Sequence, residues 1–387
     1  MYPVSSKLKI VILGYIVRGP YGGLVWHHLQ YVLSLKRSGH DVLFLEDSDD
    51  YPSCSNPFSA ELTTDPSYGL QFIKDVFAHF DMNNDWAYYD SHTCTWHGLS
   101  KEKAFSFCNM ADIVLNISAI NPIRNWWSKI PIRILIDTDP VFTQIRHLTN
   151  KNDNNIAQHH TAFFSFGENF GKPSCTIPDD GFPWKPTRQP VFLEAWKISE
   201  SDPNAKWTTV MQWESYKEKI FANRVFGMKS LSFSEFENLP NLIPTEHFEL
   251  AIGSASAPVG KLKNAKWQVI SSIAVTQTAW SYQDYIKQSK GEWSVAKHGY
   301  VVSKSGWFSE RSACYLASGK PVLVQDTGFS NFIETGKGLC SFSSVEDILR
   351  GIDDINSNYT KHCKWAREKA EEYFDGTKVL QSLFQNI

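Results

Sequence analysis

Lys9-Ile10-Val11-Ile12-Leu13-Gly14 and, a helix-length further on, Gly39-His40-Asp41-Val42-Leu43-Phe44-Leu45-Glu46-Asp47 are the stretches that decide how this chain is read. The first run is short, apolar and unbroken, as a strand covered on both faces of a parallel sheet must be. Gly14, Gly19, Pro20, Gly22 and Gly23 then make a loop, and Val25, Leu29, Val32 and Leu33 recur at helical spacing. Gly39 ends that helix as a glycine one residue past the cap would. Asp41 to Leu45 is the second strand. Strand, glycine-rich turn, helix and strand form a βαβ unit, and ligands gather at the carboxyl edge of such sheets. The turn itself reads Gly14-Tyr15-Ile16-Val17-Arg18-Gly19, so it lacks the GxGxxG of a dinucleotide-binding turn.

Outward from this unit, strands are predicted at Asp112 to Ile117, Ile132 to Ile136 and Ala162 to Phe166. Lys172 to Pro190 carries six prolines and glycines (Pro173, Pro178, Gly181, Pro183, Pro186, Pro190) and reads as a linker. The strand pattern restarts at Trp207 to Met211 and continues at Phe248 to Ile252, Trp267 to Ser271, Trp293 to Ala296 and Pro321 to Gln325. With 387 residues to divide, two doubly wound α/β domains are expected: 1–185, 186–358, and a helical segment 359–387. Ser344-Val345-Glu346-Asp347 looks like a capping box before the helix through Ile348 and Ile352, and a second helix is predicted from about Tyr359 to Tyr373.

Charge and cysteine content exclude several classes. The 38 basic and 41 acidic residues leave a net charge of −3, against a protein held to nucleic acid mainly by charge. Seven cysteines make an odd count with no CxxC and no zinc spacing, so reduced cytoplasmic thiols are expected. Lys7 and Lys9 before the first apolar run imitate a signal peptide, but Arg18 interrupts it and no small-residue cleavage site follows. No apolar run reaches about 18 residues, so no membrane span is expected.

The most informative later stretch is Gly306-Trp307-Phe308-Ser309-Glu310-Arg311-Ser312-Ala313-Cys314-Tyr315-Leu316-Ala317-Ser318-Gly319-Lys320-Pro321-Val322. Ser309 is a good N-cap, Ala313, Leu316 and Ala317 build a buried face, Gly319 ends the helix and Pro321 blocks its continuation. Free N–H groups at such a helix start suit a diphosphate, and Ser309, Arg311 and Ser312 would add donors. An ordinary capped helix, with Arg311 paired to an acid, is the alternative.

Leu316-Ala317-Ser318-Gly319-Lys320-Pro321-Val322 with Gln325-Asp326-Thr327-Gly328-Phe329 resembles the donor-binding segment of GT-B glycosyltransferases, in which a helix ending A-x-G-x-P-V leads into a strand and a small polar loop. Gly22-Gly23-Leu24 through Gly39-His40-Asp41-Val42 is similar to that family's amino-terminal paired glycines, helix and GH-x-V. The order and spacing of these motifs cover nearly the whole chain and are closest to bacterial family 1 or family 4-like transferases. The resemblance implies two Rossmann-like domains facing a cleft, with the terminal helices crossing back onto the first domain. It implies transfer of a sugar from a nucleotide-diphosphate sugar, UDP-sugar first, to an unidentified acceptor, with no cofactor and no catalytic metal. It places Asp326, Thr327 and Gly328 at the donor. One departure stands out: the two glutamates that family 4 enzymes carry with seven residues between them fall here at Gly306 and Cys314, with Glu310 between them as a substitute.

The remaining candidates follow from residue chemistry. His27, beside His28 after the paired glycines, has the pKa of a general base for an acceptor hydroxyl, and only one of the two adjacent imidazoles can face a cleft. Gly22 and Gly23 let backbone approach a ligand, unless they form a hairpin turn. Asp137-Thr138-Asp139-Pro140 offers carboxylates to an acceptor, with Asp137 as a possible base, or else a turn cap; no third metal ligand is evident. Lys297 ends a predicted strand as a cation for donor phosphates, and Glu292 before that strand would meet sugar hydroxyls; a strand with solvated charges is the alternative. Rival functions are a non-catalytic nucleotide- or sugar-binding protein, an NDP-sugar epimerase, and a transferase acting on modified DNA.

Overall fold

The computed structural model describes residues 7–59, 61–198 and 202–387. Two sheets dominate it. The first contains β1 (Lys9–Leu13), β2 (Asp41–Asp47), β3 (Trp86–Asp90), β4 (Thr95–Gly98), β5 (Ile113–Ile117), β6 (Ile132–Asp137), β7 (Ala162–Ser165) and β8 (Trp184–Pro186), in the order β8-β7-β6-β5-β1-β2-β3-β4. All neighbours are parallel except the β3–β4 pair. The second contains β9 (Trp207–Met211), β10 (Phe248–Ile252), β11 (Gln268–Ser271), β12 (Gly291–Ser294), β13 (Val322–Gln325) and β14 (Leu339–Phe342), all parallel, in the order β11-β10-β9-β12-β13-β14. Strand order reverses between β1 and β5 in the first sheet and between β9 and β12 in the second. A crevice opens at such switch points, beyond the carboxyl ends of the strands.

The central strands are buried along nearly their whole length, which is why they read as unbroken apolar runs. Each domain has an apolar cluster of its own, and a further one is shared between them. One apolar cluster runs from Ile10, Ile12 and Phe44 through Val25, Trp26 and Leu29 into Ala279, Tyr282, Ala313 and Leu316 of the second domain. Trp26 Nε1 donates to the Ala279 carbonyl at 2.9 Å, so even the polar edge of that ring crosses the boundary. The chain then returns: Tyr359–Tyr373 packs on the Glu310–Ala317 helix, and Gly376–Gln385 packs on the Gly22–Arg37 helix.

The structure moves several predicted boundaries. Gly22 and Gly23 open the first helix, Gly22–Arg37, instead of belonging to the loop. β12 lies at Gly291–Ser294, two residues earlier than predicted, which puts Glu292 inside the strand and Lys297 beyond it, capping the helix His298–Ser303. The predicted linker contributes β8, which extends the first sheet at Trp184.

Gly22 allows the closest approach between the domains. A Cβ there would stand 2.5 Å from the Thr278 carbonyl oxygen and 2.6 Å from Tyr282 Cβ, whereas one at Gly23 would meet nothing nearer than 3.6 Å. Alanine at either site gains the same helix propensity, so the difference isolates the contact. Gly22→Ala is expected to lower stability by about 1–3 kcal/mol, and Gly23→Ala to leave it level or raise it by up to about 1 kcal/mol. Denaturant midpoints of the two variants, at unchanged slope, check this.

Candidate active site

A cleft of about 1180 Å³ lies between the domains. Its first wall is built from the loops after β1, β5 and β6 and the start of the Gly22–Arg37 helix. Its second wall comes from the ends of β9, β10 and β11 and the start of the Glu310–Ala317 helix. Gly23, His27, Asp137, Lys297, Ser309, Glu310 and Arg311 all line it. Sequence positions nearly 300 apart therefore meet in one space.

On the first wall, the two histidines separate cleanly. His28 is consumed by structure: its Nδ1 lies 2.9 Å from the Leu24 carbonyl, and its Nε2 accepts the Tyr15 N–H at 3.4 Å. Those partners fix the proton on Nδ1. Its ring fills the space against Gly14. His27 faces the cleft. Burial holds its pKa below the ordinary value, and the charge of Glu310 across the cleft, with the Gln189 side chain, opposes that shift. A neutral imidazole is the form that can accept a proton.

The glycine-rich turn after β1 is already occupied by the protein's own anion. Glu46 at the end of β2 accepts the N–H groups of Ile16, Val17 and Arg18 at 2.6, 2.8 and 2.7 Å. Burial pushes its pKa up to about 7 against the pull of those three donors. The backbone amides that would cradle a phosphate in a dinucleotide enzyme are thus spent on a carboxylate.

Asp137 is 2% exposed and accepts from Thr143 Oγ1, Gln144 Nε2, Ser165 Oγ and the Asp139 N–H at 2.6 to 3.1 Å. Four donors organise the turn around it. The next carboxylate, Asp139, reaches across the cleft. It takes Lys297 Nζ at 2.8 Å, Tyr216 OH at 2.6 Å and the Tyr300 hydroxyl, all from the second domain, while Arg146 stands at 3.4 Å from its own domain. Burial pushes the Asp139 pKa up, but Lys297 and Arg146 more than reverse this and hold it at about 2. Between Asp137 and the helix Phe142–Thr149, Val141 sits at φ 69°, a conformation costly for a β-branched residue. The strained turn holds Asp139 toward the second domain.

On the second wall, Ser309 caps the Glu310–Ala317 helix by accepting the Arg311 N–H at 3.2 Å, as its sequence predicts. Arg311 is turned inward. Its Nε donates to Glu292 Oε1 at 2.5 Å, and its two terminal nitrogens donate to the Val210 carbonyl and Ser294 Oγ, each at 2.8 Å. Glu292 is fully buried and does not line the cleft, because the shift of β12 carries it into the sheet. It holds Arg311 in place of meeting a sugar. Ser312 is also buried away from the cleft, its hydroxyl without a partner. Asp326, Thr327 and Gly328 lie outside as well. Asp326 accepts the Gly328 N–H and the Ser330 hydroxyl, both at 2.8 Å, and Thr327 donates to the Trp307 carbonyl at 2.6 Å, so this loop braces the segment before the helix. Gly22 packs on Thr278 and does not reach the cleft.

The residue that the sequence reading missed is Lys229, at the start of the short helix Lys229–Phe233. It lines the cleft, is 9% exposed, and has no hydrogen-bond or ion-pair partner among the described residues. Burial, with the neighbouring Arg311 charge, holds its pKa well below the usual lysine range. Its only signal in the sequence is a lysine after Gly227-Met228 in a segment without periodicity. Among the described residues one ligand-type cluster lies elsewhere: Cys340, Asp354 and His362. There the Gly338 N–H donates to His362 Nδ1 at 3.3 Å, so one imidazole nitrogen is already taken by backbone, and Nε2 stands 3.4 Å from Asp354.

No protein-family model and no curated protein matches the sequence. Solved structures do match the fold. An alpha-glucosyltransferase in complex with UDP and a 13-mer DNA superposes with a TM-score of 0.61 at 11% identity, covering 97% of this chain and 98% of that one. Anabaena HepE in complex with UDP and glucose gives 0.56 at 11% identity, over 98% and 99%. Sucrose-phosphate synthase from Thermosynechococcus elongatus gives 0.52 at 10% identity, over 98% of both chains. The fold is therefore GT-B over nearly the full length, as the sequence resemblance implies. No helix among the described residues is long and apolar enough to cross a membrane.

The buried Arg311–Glu292 pair makes a sharp energetic prediction. Removing one partner leaves an uncompensated charge, so Arg311→Met is expected to cost about 3–5 kcal/mol. The double variant Arg311→Met with Glu292→Leu is expected to recover most of that loss. A double-mutant cycle from denaturant unfolding checks it, and additive single effects would refute it.

Proposed function

We propose that the protein is a glycosyltransferase, of the hexosyltransferase class, that moves a sugar from a nucleotide-diphosphate donor to an acceptor hydroxyl. The observation that carries this reading is the placement, in one interdomain cleft, of a free buried cation, a capped helix start and a neutral imidazole on opposite walls. Breaking a sugar–phosphate bond concentrates negative charge on the departing diphosphate. Lys229 and the N–H groups at the start of the Glu310–Ala317 helix are preorganised to receive it. His27 faces them and accepts the acceptor's proton. Glu310 lines the same cleft, and its carboxylate can meet the sugar.

UDP is the donor nucleotide we favour, because the similar structures above were solved with it. The acceptor class is left open by this reading. The cations of the cleft are mostly engaged, Lys297 by Asp139 and Arg311 by Glu292, which gives little support to the alternative of a DNA acceptor, since a nucleic acid needs a track of available positive charge. Seven free cysteines, five of them buried, suit a reducing cytoplasm. No residue of the cleft calls for a cofactor or a metal in this scheme.

UDP at about 100 times its dissociation constant is expected to stabilise the fold by about 2.7 kcal/mol. Lys229→Met should abolish the shift while leaving the unliganded protein at least as stable. Because burial disfavours the charged form of Lys229, a bound diphosphate should favour its protonation. Calorimetry of UDP binding at alkaline pH in buffers of different ionisation enthalpy should therefore show proton uptake, lost in the variant. No thermal shift with UDP or any other nucleoside diphosphate would sink the transferase reading and favour a non-catalytic protein.

A further inference from the structure

Two of the buried polar atoms without partners, His27 Nδ1 and Gln189 Oε1, belong to residues in contact behind the cleft. Gln189 is 2% exposed and lies at the end of the interdomain linker, just before Pro190. Its amide nitrogen donates to the His27 carbonyl at 3.1 Å and to the Pro190 carbonyl at 3.0 Å. Both amide hydrogens are used, so the side chain cannot be flipped without losing both bonds. Oε1 is thereby committed as an acceptor in a place where only a donor can satisfy it. The imidazole beside it carries one nitrogen buried and one turned to the cleft. A buried orphan costs about 1–3 kcal/mol, so a short approach that satisfies two at once is favoured.

We propose that Gln189 is a positioning residue, which keeps the His27 proton on Nδ1 and so presents the Nε2 lone pair to the acceptor hydroxyl. The inference rests on the reading of His27 as the proton acceptor. His28 supplies an internal contrast, since both its nitrogens already have partners and neither reaches the cleft. A neutral amide does here what a carboxylate could also do, but with a different consequence. It orients the ring without adding a negative charge that would favour the imidazolium. The groups that face His27 are few: Glu310 across the cleft, Gln189 from the linker, His28 and Tyr31 on its own helix, and the apolar Phe166 ring. Glu310 is the one full charge among them. An oriented ring that burial keeps neutral stays ready to accept a proton to lower pH than a free histidine would.

The tautomer can be read directly, without knowing the acceptor. In the full-length protein with UDP, labelled with ¹⁵N-histidine and assigned through His27→Asn, long-range ¹⁵N–¹H correlations should show His27 as the Nδ1–H form. Gln189→Leu should move it to the Nε2–H form or to a mixture, while the His28 signals stay unchanged and report an intact fold. Gln189→Glu should keep the Nδ1–H form and raise the pH at which His27 protonates. With UDP-glucose as donor and water as acceptor, Gln189→Leu should lower kcat by about tenfold with KM for UDP-glucose unchanged. Gln189→Glu should move the acid limb of the pH profile upward. An Nε2–H tautomer in the wild type, or a tautomer unaffected by Gln189→Leu, would overturn the proposal. If the wild type hydrolyses no UDP-glucose although the tautomer behaves as stated, the transferase reading fails and the positioning role of Gln189 stands.

Discussion

The rest of the cleft depends on the ion pair between Glu292 and Arg311. A fully buried carboxylate in the middle of a strand is tolerable only if a cation comes to it. Arg311 does so by turning its guanidinium inward from the first turn of its helix, where the Val210 carbonyl and Ser294 Oγ each accept one more of its N–H groups. The pair ties β9, β12 and the Glu310–Ala317 helix into one rigid floor. It also decides which charges remain available. An arginine at the start of a helix is the residue one would first assign to a diphosphate, yet here it is already spent. The work of meeting an anion falls to Lys229 and to the backbone amides above the pair.

The same accounting distinguishes the two Rossmann-like halves. Both have a turn at the carboxyl end of a central strand, and backbone N–H groups in such a turn attract anions. In the first domain Glu46 takes three of them, so that turn is closed to a phosphate and serves to hold the wall from which His27 projects. In the second domain no carboxylate plays that part at the Glu310–Ala317 helix, whose first turn opens onto the cleft. The asymmetry leaves backbone N–H groups facing the cleft at the helix start of the second domain and not at the turn of the first.

Much of the fold was legible because parallel sheets covered on both faces demand unbroken apolar strands, and the chain supplies them at β1, β2, β6, β9 and β10. β3 was missed because Trp86-Ala87-Tyr88-Tyr89-Asp90 mixes aromatic and polar residues, and β14 because Ser341 breaks the apolar run of Leu339-Cys340-Ser341-Phe342. The site was legible where a local rule governs it. Ser309 as a cap and Gly319 past the helix end follow from the chemistry of helix termini. It was not legible where a register of two residues decides everything: moving β12 back to Gly291 takes Glu292 from the rim into the interior. Nor can a sequence show that Asp139 would find Lys297, 158 positions away, or that Lys229 would find no partner among the described residues.

Asp139 and Lys297 bear on how the halves move. The charged contact they make joins the domains directly across the cleft, and Tyr216 and Tyr300 complete it from the same side. Elsewhere the halves meet through apolar packing at Gly22, Trp26 and Ala279 and through Asn169, whose amide reaches the Lys304 and Gly328 carbonyls. The apolar seam is non-directional and tolerates small rotations, whereas a buried pair with two tyrosine donors does not. An opening of the cleft must therefore break the Asp139 network first. Lys297 then exchanges one anion for water or for another anion, and the second is the cheaper exchange in a site this dry. An anion that took Lys297 would therefore weaken the contact between the halves and leave Asp139 to Arg146 and the two tyrosine hydroxyls.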